Sequence, residues 1–170
     1  MKVSEIIRRA RSALSMPIKY KMGSGGMDPT AASPAGVDGA CDCSGFISWV
    51  LGVSRKTKDP LYLRVTGGWR NTDGMAIDAK EPGGMLTVIP GARVGCLMVY
   101  GKGWRGAYVG HVGLVTDIWP PPENMPANAR RVIHCASGHR IMGNAVQETA
   151  PAAFFKRNAI YAWPDFLIEG

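Results

Sequence analysis

The sequence lacks an unbroken apolar stretch at its amino terminus, where charged residues are spread through "MKVSEIIRRARSALSM". A secretory signal and a membrane-spanning helix both require such a stretch, so we expect neither. Internal repeats are absent, as are helix-turn-helix, zinc-finger and aromatic-basic ribonucleoprotein motifs. The net charge of +7 favours polyanionic surroundings. Without one of these motifs, that charge does not predict a nucleic-acid partner.

Cysteine is also scarce, with four residues among 170. So few cysteines in a chain of this length, without a secretion signal, do not indicate a disulfide framework, so we expect mostly free thiols. Hydrophobic residues make up 46% of the chain and charged residues 19%. This composition predicts one globular domain over residues 1–170 that buries a sizeable core without cross-links.

The pattern of apolar residues predicts helices in the amino-terminal half of the chain and strands in the carboxyl-terminal half. Apolar residues at helical spacing predict a helix over residues 3–14, with Ser4 as a possible N-cap. A Gly- and Pro-rich surface loop follows over residues 20–40, and residues 54–92 show no sustained period, which suggests the rim of a site. Short runs rich in Val, Ile, Tyr and Trp then predict antiparallel strands over residues 93–100, 111–119, 131–135 and 159–163. Helices first and strands afterwards predict an α+β class.

Two of the four cysteines lie one residue apart in "GACDCSGFISWVLG", directly before an apolar helix that ends at Gly52. Asp42 is placed to cap this helix, which puts Cys43 in its first turn. The helix dipole there favours the thiolate over the thiol by about 0.3 to 1 kcal/mol, and a neighbouring imidazolium lowers a thiol pKa further. Cys43 is therefore a candidate nucleophile.

A cysteine nucleophile needs a base and a group that orients the base. His111 begins the strand "GHVGLV" and His134 lies in the next strand, "VIHCAS". Cross-strand side chains approach to about 5 Å, so His134 can hold the ring of His111. Asp117 lies six residues farther along the strand, roughly 20 Å away, and is too distant for that role. His139, in the loop after the strand, is an alternative third residue.

Other interpretations of these residues stay open. A zinc site made from Cys41, Cys43, His134, Cys135 and His139 is one, although paired zinc cysteines favour two-residue spacers and "CDC" has one. Cys41 is either incidental or a redox partner that blocks Cys43 on oxidation.

The remaining cysteines and several aromatic residues have structural interpretations. Cys96 and Cys135 lie in apolar strands, which favours a core position. Trp69, Trp104 and Tyr108 lie in Gly-rich segments, where they either cover core edges or contact a glycan or peptide.

These motifs, taken in order, resemble the NlpC-type cysteine peptidases. The resemblance covers Tyr20 to about Ser137 and comprises "DCSGF" at a helix start, "IPGARVGCLMVY", "GHVGLV" and "VIHCAS". It implies a papain-like α+β fold with N-terminal helices on a central antiparallel sheet, and no cofactor or metal. By this resemblance Cys43 is the nucleophile, His111 the base and His134 the orienting residue. Tyr20 and the backbone at Ser44 would contact the substrate and its oxyanion.

The resemblance also implies a biological role. The family's substrate is the peptidoglycan stem peptide, often cut between D-glutamate and the diamino acid. With no signal peptide expected, a protein made in the cytoplasm would reach the periplasm or cell wall as a phage or prophage lysin released by a holin, or as an effector delivered by a secretion machine. We expect a monomer, and an immunity protein as a partner if it is an effector. Alternatives are a deamidase or acyltransferase, and a non-catalytic phage-tail or wall-binding module.

Overall fold

The structure is a computed structural model that describes residues 1–121 and 123–169. Residues 122 and 170 of the expected 1–170 domain lie outside the described residues. The described residues form five helices, in chain order α1 (Val3–Ser12), α2 (Cys43–Val50), α3 (Pro60–Thr66), α4 (Thr72–Asp78) and α5 (Ala152–Phe155). Short 3-10 segments occupy Ala13–Ser15, Trp104–Gly106 and Ser137–Met142. Within the described residues, no helix combines the length and apolar character needed to cross a bilayer.

The strands form two sheets. A short parallel pair joins β1 (Lys19–Tyr20) to β2 (Ala40–Cys41). The main sheet has six antiparallel strands in the order β3, β8, β4, β5, β6, β7. Their bounds are β3 Leu86–Ile89, β4 Leu97–Tyr100, β5 His111–Ile118, β6 Ala129–Cys135, β7 Val146–Thr149 and β8 Ile160–Pro164. The predicted α+β class is confirmed.

Alternating side chains of the main sheet are buried on opposite faces, as the period of two requires. Leu114 and Ile133 belong to a core cluster that also contains residues of α1 and α2. Val115 and Val132, their chain neighbours, belong to a second cluster on the other face with Phe154 of α5. The helix that carries Cys43 therefore packs on one face of the sheet, and α5 covers the other.

The amino-terminal helix starts at Val3, but its N-cap is not the residue that the sequence indicated. Lys2 is its N-cap, and its backbone N–H donates to Glu5 Oε2 at 3.2 Å. The Ser4 prediction is wrong because the N–H of Val3 donates to the carbonyl of Ile168, which holds Lys2 extended and lets the helix start at Val3.

Residues 54–92 contain regular elements that the sequence pattern did not reveal. Helices α3 and α4 are held together by the buried Tyr62, whose hydroxyl donates to Asp78 Oδ2 at 2.7 Å. The other oxygen of that carboxylate accepts the N–H of Met85 at 2.8 Å, which ties the start of β3 to α4. The segment is thus a folded rim attached to the sheet edge.

The loop before β2 packs on the start of α2 through glycines. Gly25 and Gly26 have φ values of +81° and +70°, which side chains rarely adopt. A Cβ on Gly26 would lie 2.2 Å from the carbonyl oxygen of Gly45, in the first turn of α2. This close approach places the loop against the helix start, beside Cys43.

Replacing Gly26 should therefore destabilise the folded protein. We expect Gly26→Ala to lower the free energy of unfolding by about 2 to 4 kcal/mol, from left-handed strain and overlap with Gly45. Gly23→Ala is the matched control, because Gly23 has a φ of +83° and, among the described residues, no neighbouring atom lies within 4 Å of where its Cβ would be. Urea unfolding of both variants measures the difference, and equal losses would contradict the packing argument.

Candidate active site

The start of α2 is organised by the carboxylate of Asp42. Its Oδ1 accepts the backbone N–H of Gly45 at 2.8 Å and the hydroxyl of Ser44 at 3.0 Å. Its Oδ2 accepts the N–H of Gly23 at 2.7 Å and lies 2.5 Å from a guanidinium nitrogen of Arg55. The predicted N-cap is confirmed, and the carboxylate additionally joins the loop, the helix and the rim.

Arg55 is a residue of the site that the sequence analysis missed. Its side chain is only 5% exposed, and besides Asp42 it donates to Ser44 Oγ at 3.1 Å and to the carbonyl of Ser24 at 2.7 Å. In the sequence it opens the basic stretch "RKTK", which is typical of a solvated loop. No local signal distinguishes it from its exposed neighbour Lys56.

Cys43 lines a cavity of about 360 Å³ that the rim helps to enclose. Tyr20 of β1 and Ser44 line the same cavity, as do Trp69 and Asp73 of the rim. Residues 54–92 therefore border the cavity that Cys43 lines. The Ser44 side chain is directed into the network with Asp42 and Arg55, which leaves its backbone N–H as the group available near the sulfur.

The cavity also reaches the beginning of β5. Gly110, which lines it, directly precedes His111, and the backbone N–H of Val112 donates a hydrogen bond to the sulfur of Cys43. The sulfur thus lies against the first residues of the strand that carries the predicted base.

The two histidines are in direct contact. Nε2 of His111 lies 2.7 Å from Nδ1 of His134, and the ring centroids are 4.9 Å apart. Leu114 of β5 pairs with Ile133 of β6. Because the strands are antiparallel, the next residue of β6, His134, lies opposite Gly113 and not opposite His111. The contact is therefore diagonal and not directly cross-strand as expected, and it is possible because imidazole rings bridge the longer diagonal separation.

Gly113 provides the space for this contact. A Cβ at this position would lie 3.0 Å from both the Cβ of His134 and the Cζ of Phe154. Phe154 stacks on His111 at 5.0 Å between centroids and contacts the ring of His134 edge-on at 5.5 Å. The second glycine of "GHVG" thus allows an aromatic side chain and two imidazoles to pack on one face of the sheet.

The other sequence candidates lie around this centre. His139 packs edge-on against His134, with centroids 4.8 Å apart, and its Nδ1 is 2.9 Å from the carbonyl of Ala145. Asp117 is on the same strand as His111 but forms its ion pair with Arg130 at 3.4 Å.

The three other cysteines are buried free thiols. Cys41 is next to Cys135, whose sulfur lies 3.4 Å from the Cys41 carbonyl oxygen. A side-chain hydrogen bond between the two thiols, followed by burial, raises the pKa of Cys41. Cys96 directly precedes β4 and belongs to the second core cluster.

Burial controls the protonation of the site. Desolvation, followed by the neighbouring charge of Asp42, raises the pKa of Cys43 to about 12. Desolvation lowers the pKa of His111 to about 4 and that of His134 to about 3. The helix dipole, worth about 0.3 to 1 kcal/mol, is too weak to offset this desolvation. The resting site therefore holds a neutral thiol beside neutral imidazoles, and the expectation that the helix start and a neighbouring imidazolium lower the pKa of Cys43 is wrong.

No family model and no curated protein matches the chain. Among solved structures, it is similar to the NlpC/p60 domain of the peptidoglycan hydrolase SagA, at 21% identity and a TM-score of 0.46, over 96% of this chain and 98% of that one. It is also similar to Ly7917, at 15% identity and a TM-score of 0.45, over 96% of this chain and 63% of that one.

The ionisation state can be measured directly. We expect the 240 nm absorbance of the protein, minus that of Cys43→Ser, to show no thiolate step between pH 5 and pH 9. The reason is that a thiol whose pKa is raised stays protonated throughout that range. A step with a midpoint below pH 7 would show that the thiolate is already present at rest.

The buried ion pair of Asp42 and Arg55 should contribute more to the free energy of unfolding than an exposed ion pair does. Arg55→Met leaves the Asp42 carboxylate buried without its cation, so we expect a loss of about 3 to 5 kcal/mol in the free energy of unfolding. Lys21→Met is the matched control, because Lys21 pairs with Asp38 at 2.8 Å but is well exposed. Urea unfolding of the two variants should separate them clearly, and a loss no larger than the control's would contradict the role assigned to Arg55.

Proposed function

We propose that this protein is a cysteine peptidase of the NlpC type that hydrolyses an amide bond in the stem peptide of peptidoglycan. The observation that carries the proposal is the site itself: Cys43 lines a cavity at a capped helix start, against the strand whose first residue, His111, contacts His134. These are also the residues that match the family's motifs. A nucleophile, a base and a group that holds the base are the parts that acyl transfer requires.

The proposed reaction begins with the neutral pair. As the sulfur of Cys43 attacks the amide carbonyl, its proton moves to His111, so thiolate character develops during attack. Backbone N–H groups at the start of α2, including that of Ser44, and Tyr20 would stabilise the oxyanion. His111 then donates the proton to the leaving amine, and afterwards activates the water that releases the acyl group from sulfur.

The substrate class is supported by the resemblance and by the shape and charge of the cavity. Besides the mutually paired Asp42 and Arg55, its lining includes Asp73 and Lys102, so it offers both signs of charge to a peptide that carries amines and carboxylates. We propose that the bond hydrolysed is the one between D-glutamate and the diamino acid. The net charge of +7 would assist association with an anionic wall.

The route to the wall is part of the proposal. We propose that the protein acts as a monomer in the periplasm or cell wall, as a phage or prophage lysin or as a delivered antibacterial effector. A holin gene beside the coding sequence would support the lysin role. A gene for a small protein that binds this chain and blocks its activity would support the effector role.

Digestion of purified muropeptides tests the activity. We expect new free amines and a mass increase of one water at the cleaved bond, detected by mass spectrometry. Cys43→Ala should reduce the rate by more than about 1,000-fold, because it removes the nucleophile. Cys96→Ala, which alters a buried thiol outside the site, should retain activity.

Other products would assign a different reaction. Ammonia released without chain cleavage would indicate a deamidase, and transfer of an acyl group to an added amine or alcohol would indicate an acyltransferase. No reaction with any of these substrates would favour a non-catalytic binding module, and full activity in Cys43→Ala would exclude the mechanism.

A further inference from the structure

His134 makes a second contact, with a residue that the sequence analysis did not consider. Its Nε2 lies 2.8 Å from Oγ1 of Thr149, the last residue of β7. Strand β7 pairs with β6, and Thr149 lies opposite Val132, two residues from His134 along β6. The hydroxyl of Thr149 also donates to the carbonyl oxygen of Ala150 at 3.1 Å. The histidine pair is therefore connected, through one hydroxyl, to a backbone carbonyl.

The hydrogen atoms along this chain of contacts can be assigned by counting. A threonine hydroxyl carries one hydrogen, and the Ala150 carbonyl can only accept it, so the hydroxyl presents lone pairs to His134. Nε2 of His134 must then carry the ring hydrogen. Because a neutral imidazole has a single N–H, Nδ1 of His134 is an acceptor and receives the N–H of His111 Nε2. Nδ1 of His111 is left without a hydrogen.

That last nitrogen is the one that the proposed mechanism needs. With Nε2 of His111 engaged by His134, Nδ1 is the nitrogen to which the proposed mechanism assigns the thiol proton of Cys43. If the hydroxyl of Thr149 donated to His134 instead, every hydrogen in the chain would reverse. His111 would then carry a hydrogen on Nδ1 and could not act as a base.

We propose that Thr149 is a positioning residue that sets the tautomers of His134 and His111, so that the base is ready to accept the thiol proton. This inference deepens the proposed peptidase function and rests on it for its kinetic consequences. The assignment of hydrogens rests on the contacts alone. The lowered pKa values of both rings support it, since only neutral imidazoles have a tautomer to select.

The surroundings of the rings suit this role. Phe154 covers His111 and His134, which keeps the contact between them in an apolar environment where a hydrogen bond is strong. During the reaction the proton passes from the sulfur of Cys43 to Nδ1 of His111 and later to the leaving amine. We call the hydrogen-bonded chain of Thr149, His134 and His111 the relay. The hydrogens held by His134 and Thr149 stay in place during the reaction, so the relay positions the base and transfers no proton itself.

The tautomers can be observed without any substrate. We expect long-range proton–nitrogen NMR correlations of ¹⁵N-histidine-labelled protein at pH 7 to show His111 and His134 as Nε2–H tautomers. In Thr149→Val the hydroxyl is lost, so His134 should show a mixture with the Nδ1–H form. Thr149→Ser should restore the wild-type pattern. A wild-type spectrum with His134 as the Nδ1–H tautomer would overturn the proposal by itself.

Kinetics on muropeptides give the second readout. We expect Thr149→Val to lower kcat on the order of 10- to 100-fold with little change in KM, and Thr149→Ser to recover most of the loss. Thr116→Val is the matched control, because it removes a hydroxyl that donates to Glu148 on the same sheet, outside the relay. Unchanged kcat and unchanged tautomers in Thr149→Val would contradict the assignment.

The two readouts also separate this inference from the proposed function. If muropeptides are not cleaved but the tautomers change as expected, the peptidase assignment fails and the relay stands. If muropeptides are cleaved and the tautomers do not depend on Thr149, the relay fails and the peptidase stands.

Discussion

The carboxylate of Asp42 is the group on which the rest of the site depends. It accepts hydrogen bonds from Gly23, Ser44 and Gly45 and forms a buried ion pair with Arg55. One side chain thereby joins the glycine-rich loop, the first turn of α2 and the rim. A buried charge is tolerated only when its hydrogen-bonding capacity is met, so these three segments have to come together for the Asp42 carboxylate to be buried. The cavity beside Cys43 lies where these three segments meet.

Burial also determines the protonation state of the reactive groups in the site. Burial removes much of the hydration of Cys43 and the histidine rings, and this loss favours the neutral form of each by more than the helix dipole favours the thiolate. When the base is neutral, its tautomer becomes the property that the fold must control. The apolar packing of Phe154 and the hydrogen bonds beyond His134 therefore have as much bearing on the chemistry as the nucleophile's own position.

Local signals in the sequence predicted the parts of the fold that depend on neighbouring residues. The cap at Asp42, the apolar helix after it and the strands that contain His111 and His134 are all recognisable from short patterns, and each was found. The rim helices, β3 and β7 were missed, because each is too short to show a sustained period and is ordered by contacts with distant segments. Arg55 and Thr149 were missed for the same reason, since a basic loop residue and a threonine in "VQET" have no local feature that marks them.

Capping, apolar periodicity and β-branched runs act over a few residues, so these local patterns marked where the helix and strands begin. They placed Cys43 at a helix start and a histidine on each of two strands. The complete fold was needed to show that the thiol and imidazoles are neutral, that the two rings meet diagonally across Gly113, and that a hydroxyl on a third strand lies next to His134. Desolvation and contacts between strands depend on what the whole chain packs around each group, and no short stretch of sequence contains that information.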